Sequence, residues 1–101
     1  MTVTVTAIDA ITAEAEAFAF LNDHLPDRII PLTPRFDAIA QLWRVPVALS
    51  YPGLGALGEC GEIAVSLSSG KIVSHTPLSE LEATSLALAE KYRDAIEAPL
   101  P

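Results

Sequence analysis

The sequence predicts one α+β domain over residues 1–101. An N-terminal helix, a three- to four-stranded antiparallel sheet and a C-terminal helix follow in order, with both helices packed on one face of the sheet. Three observations predict it. Apolar residues recur every three or four positions near both ends of the chain, they alternate every second position in the middle, and Pro or Gly marks the junctions.

The first helix is expected after Thr6, with Asp9 three positions on in a capping-box pattern. Ile8, Ile11, Ala15, Phe18, Leu21 and Leu25 then share one stripe, the predicted core face. Asp9, Glu14 and Glu16 lie in the first half, where the helix dipole favours acids, and Leu25-Pro26 ends the helix. Phe20 lies nearly opposite Phe18, off that stripe.

Ile29 to Phe36 reads as an edge strand, because Pro31 and Pro34 cannot donate to a ladder. From Trp43 the alternation is unbroken. Trp43, Val45, Val47, Leu49 and Tyr51 point to the core, and Arg44, Pro46, Ala48 and Ser50 point away, with Pro46 suggesting an edge or a bulge. Tyr51-Pro52-Gly53-Leu54 fits a type II turn, and residues 52–61 read as a Gly-rich connection. Glu62 to Ser68 alternates again, and Ser69-Gly70 turns it into a hairpin with Lys71 to Ser74. Thr76 is the expected N-cap of the last helix and Pro77 its first residue. Leu78, Leu81, Leu88, Tyr92 and Ile96 fall on its inner face, and residues 98–101 form a fraying tail.

Six basic residues against thirteen acidic ones give a net charge of −7. Such a balance disfavours nucleic acid and anionic membranes, both of which need clustered Lys and Arg. The acids concentrate in the two helical ends, and the middle is neutral. One cysteine, Cys60, makes no internal disulfide. The longest uncharged run, from Val45 to Gly58, is interrupted by Pro and Gly and falls short of the ~20 residues of a membrane span. The opening Thr-Val-Thr-Val lacks the basic region of a secretory leader, so the cytoplasm is the expected location.

Several motifs invite functional readings. Gly53-Leu54-Gly55-Ala56-Leu57-Gly58 spells the dinucleotide fingerprint, but that chemistry needs a helix directly afterwards, and Glu59-Cys60-Gly61 leads into a β-patterned run instead. His24, His75 and Cys60 lack zinc-site spacing, and carboxylates beside Cys60 discourage a thiolate. No serine sits on a strand-turn-helix elbow. Neither catalytic residues nor a metal or cofactor is expected. Arg35, Arg44 and Lys71, half of all the bases, form a candidate polar patch on the open sheet face. Ordinary pairing with Glu59 and Glu62 is the simpler reading, and a modest anion or acidic-peptide patch the functional one.

Three stretches carry a resemblance. Phe20 to Arg28, Trp43 to Val47, and Gly61 to Val65 through Ser74-His75-Thr76-Pro77-Leu78 resemble a family of roughly hundred-residue bacterial proteins of unknown function, found mainly in photosynthetic bacteria. The resemblance brings no established catalytic residues to carry over, and some members of that family look like the small partner beside a nuclease-type toxin. Ile63 to Ile72 is also similar to the closing hairpin of PepSY-type domains, with Ser66-Leu67 where those carry Asp-Ala.

The leading expectation is therefore a non-catalytic protein-interaction module that forms homodimers. Phe20, Ile29, Leu32, Leu54 and Leu57 are the interface candidates, because one short chain has few elements to cover them. Trp43 and Leu86 join the large apolar groups that such a chain must place. An acidic, antitoxin-like neutraliser of a basic nuclease is the alternative partner reading. A small-ligand binder or an enzyme is the third, and it requires a polar pocket between sheet and helices.

Overall fold

The computed structural model describes residues 7–25 and 28–98; Thr6 and residues 99–101 of the expected tail lie outside them, and the first helix starts at Ala10, later than the expected start after Thr6. Helix α1 (Ala10–His24) leads into β1 (Ile29–Pro31), β2 (Arg35–Asp37), β3 (Leu42–Tyr51), β4 (Gly55–Ser66) and β5 (Ile72–His75). Helices α2 (Leu78–Lys91) and α3 (Arg93–Glu97) close the chain, giving the α+β order read from the sequence. All pairings are antiparallel, in the order β1-β3-β4-β5, with β2 also on β3.

The long β3–β4 hairpin is the backbone of the fold. Ile29 to Asp37 is one interrupted edge strand: β1 pairs with Val47 to Leu49, and β2 with Leu42 to Arg44. This places Pro46 in a central strand rather than at an edge, and the bulge, the other expectation, falls one residue past this proline, between Val47 and Ala48. Its missing N–H is tolerated because its carbonyl, which accepts from Leu32 N at 2.7 Å, faces residues 32–34, where the edge strand detaches between β1 and β2. A residue's N–H and C=O point the same way along a strand, so the absent donor lies opposite the break.

The glycine-rich segment is not a loop. Pro52-Gly53 turns as expected, with Gly53 at φ 81° and Leu54 N donating to Tyr51 O. From Gly55 onward the chain is strand, interrupted by register shifts opposite Val47/Ala48 and Leu49/Ser50. Glycine is required there by proximity. A Cβ on Gly61 would lie 2.5 Å from the Thr76 hydroxyl and 2.7 Å from Leu81.

Val45, Val47, Leu49, Ile63 and Val65 form the sheet's core face, and both helices cover it. α2 inserts Leu81 and Leu88 over Gly61 and Gly58. Its start differs from expectation: Thr76 makes no cap, and its hydroxyl accepts the Glu62 N–H at 2.9 Å, tying α2's entry to β4. Asp9 is the N-cap of α1, accepting from Thr12 N at 2.8 Å.

The buried stripe of α1 is Ala13, Ala17 and Leu21, with Phe20 half-buried beside it. Ile11, Ala15 and Phe18, expected in the core, face outward, with Ile11 78% and Phe18 49% exposed. Alanines on the inner face let the helix lie close to the sheet, so the small residues went in and the large ones out. Trp43 is half-buried at the margin, where its indole N–H donates to Ile8 O at 3.0 Å and its ring meets Phe36 at 5.3 Å.

Candidate functional site

The surface with most to offer lies along the outward flank of α1. Residues 11, 15 and 18 fall within about 60° of one another around the helix, so their side chains form one ridge. Ile11, Ala15, Phe18 and Glu14 enclose a shallow apolar cleft of about 320 Å³ against Pro31 of the edge strand. Glu14 and Pro31 also line a second cleft of about 660 Å³, which continues over the edge to Leu32, Arg35, Pro46 and Glu59. The two form one trough, apolar at the helix and polar at the sheet edge.

The interface candidates read from the sequence are dispersed. Ile29 is buried in the core, which removes it from the accessible surface. Phe20 is half-buried, its ring between His24 at 4.5 Å and His75 at 4.7 Å. Leu57 packs against the core, Leu32 is half-buried in the trough, and Leu54 is exposed at the β3–β4 turn. Sequence reasoning missed Ile11 and Phe18. The signal that could have found them is the second stripe on α1, built from alanines.

Arg35 and Arg44 are register partners on the face away from the helices, but they do not make an anion site. Arg44 donates through Nε to Asp37 and through Nη1 to Glu62, both at 2.9 Å. Asp37 is held below the ordinary carboxylate range first by the Ala40 N–H and then by Arg44. Arg35 lies 3.9 Å from Glu59. Lys71 stands apart, in the turn between β4 and β5. The charge of Arg44 is thus spent within the chain, while Arg35 and Glu59 pair only loosely.

The remaining motifs settle into local structure. The glycines of residues 53–58 lead into β4, and Gly58 lies against Leu88, so no helix N-terminus stands behind them. Burial pushes the Cys60 thiol up, only partly offset by a hydrogen bond from Leu49; burial, not neighbouring carboxylates, is the cause. Ser66, Ser68 and Ser69 bond among themselves and to the turn backbone. His75 Nδ1 lies 2.8 Å from Thr76 O. Among the described residues, no three of His, Cys, Asp and Glu converge as metal ligands, and no helix is long and apolar enough to cross a membrane. No protein family, characterised protein or solved structure matches this chain.

Proposed function

We propose that the chain is a non-catalytic protein-interaction module that binds through the outward flank of α1. The observation that carries this reading is the ridge of Ile11, Ala15 and Phe18, left uncovered by a helix whose other face already closes the core. Large apolar side chains grouped beside a cleft are what binding surfaces display, whereas scattered ones need no explanation. The trough is shallow and open, which suits a protein segment better than a small molecule.

The test is site-specific photo-crosslinking in extract of the source cell. A photoreactive residue at position 18 should give one discrete adduct, and the same residue at Glu82, exposed on α2, should give none. An adduct twice the 10.7 kDa chain mass identifies self-association, and any other discrete mass identifies a different partner. No adduct, or the same smear from both positions, overturns the reading.

A further inference from the structure

We infer that the trough between α1 and the β1 edge receives a basic amphipathic helix of another protein, with its apolar side chains on Ile11, Ala15 and Phe18 and its cations toward Glu14 and Glu59. The inference rests on the proposed binding role of this flank and names the chemistry of its partner.

The backbone decides against a strand. Arg28 O accepts from Ser50 N, and Leu32 N donates to Pro46 O, so even-numbered residues of this edge face β3. Odd-numbered ones face outward, and among them Pro31 has no N–H to offer. A continuous ladder therefore fails at its centre. Side-chain packing remains, and a ridge at i, i+4 and i+7 is matched by the groove of another helix.

Charge weighs against a second copy. Antiparallel two-fold packing of α1 on itself brings Glu14 beside its own counterpart near the axis. Each copy also carries −7. In the antiparallel case Ile11 would meet Phe18 well, but the carboxylates would oppose it. Among the described residues, every cation except Lys71 already has a carboxylate or an aromatic ring: Arg28 over Tyr51, Arg35 at Glu59, Arg44 at Asp37 and Glu62, and Lys91 over Tyr92. Arg93 completes the set, between Glu90 and Glu97. Helix α1 itself holds no Lys or Arg, and its Glu14, Glu16 and Asp23 make no ion pair among those residues. Glu59 is held only loosely, since its 3.9 Å pair with Arg35 has side chains 58% and 67% exposed. The trough thus offers apolar contact with the unpaired carboxylate of Glu14 beside it and the loosely paired Glu59 beyond, next to Arg35, a complement to a basic amphipathic helix.

The test uses three labelled peptides of about 18 residues, long enough for a helix to span α1. One is a Leu/Lys amphipathic helix, one the same composition scrambled to abolish the stripe, and one its Leu/Glu counterpart. Fluorescence anisotropy against the full chain should show the Leu/Lys helix binding at least about tenfold more tightly than the scrambled peptide. Ile11→Ser and Phe18→Ser should each weaken it about tenfold, with circular dichroism unchanged. Glu14→Gln, and salt raised from about 50 to about 300 mM, should each weaken it severalfold. Equal binding of the ordered and scrambled peptides would overturn the inference, as would preference for the Leu/Glu helix. So would sedimentation of the free chain as a dimer that Phe18→Ser dissociates. If the peptides fail while position 18 crosslinks a different protein, the binding role stands and the basic helix falls.

Discussion

Phe18 and Phe20 are two positions apart on α1 and point about 160° from one another. One lies between two imidazoles against the core, and the other stands in solvent beside Pro31. Their difference predicts opposite mutational costs. Leu21→Ala, on the buried stripe, should lower stability by about 2–5 kcal/mol in urea denaturation. Phe18→Ser should change it by less than about 1 kcal/mol. The opposed directions of the two rings were legible in the sequence, but which of them faced inward was not. Periodicity gives the angle between side chains, and the preference for bulk then picked the larger stripe; close approach of the helix to the sheet selected the alanines. A second residue-scale prediction concerns Asp37, whose folded carboxyl lies below the ordinary 3.8 because of Ala40 N–H and Arg44. A lowered carboxylate stabilises the fold above that value and loses its contribution as pH falls through the lowered one. Wild type should therefore exceed Asp37→Asn in stability at neutral pH, with the gap closing below about pH 4. Parallel acid titrations of the two proteins check it.

The hairpin of β3 and β4 depends on glycine where α2 crosses it. Gly61→Ala would drive a methyl into the Thr76 hydroxyl and Leu81, both already fixed, and should cost about 1–3 kcal/mol. Gly58→Ala meets only the flexible end of Leu88, 2.9 Å away, and should cost less. Thermal melts of the two variants would rank them. The strand from Trp43 to Tyr51 was plain in the sequence because its alternation is uninterrupted, and the proline-bearing edge was plain because proline removes a donor. The strand at Gly55–Gly61 was not, since glycine carries no alternation and its reason for being there lies on a distant helix. The edge reading of Pro46 fails for a related reason. Its rule concerns a missing partner, and the partner is absent here because the neighbouring strand is broken.

For the whole molecule, the order of helices and strands was enough to give the fold class, but not the pairing of β1 and β2 with the same strand. That arrangement follows from long-range register, which local patterns do not encode. It leaves the hairpin unevenly supported. β4 has β5 beside it only from Ile63 to Val65, and its Gly55–Gly61 stretch has β3 on one side alone. Amide exchange should therefore be slowest at Val45, Val47, Ile63 and Val65, and faster by orders of magnitude for the outward-facing amides of 55–61. Uniform protection along β4 would contradict this arrangement.

The length of the β3–β4 hairpin also has a hydrodynamic consequence. The twelve-residue strand β4 runs about 40 Å at roughly 3.3 Å per residue, against a diameter of about 34 Å for a sphere with the ~13 Å radius of gyration usual at about 100 residues. Frictional drag follows shape as well as mass, so a single copy should leave a gel-filtration column ahead of spherical standards of 10.7 kDa. Elution alone would then overstate the mass. Sedimentation equilibrium, which weighs the particle without reference to its drag, should return the mass of one chain.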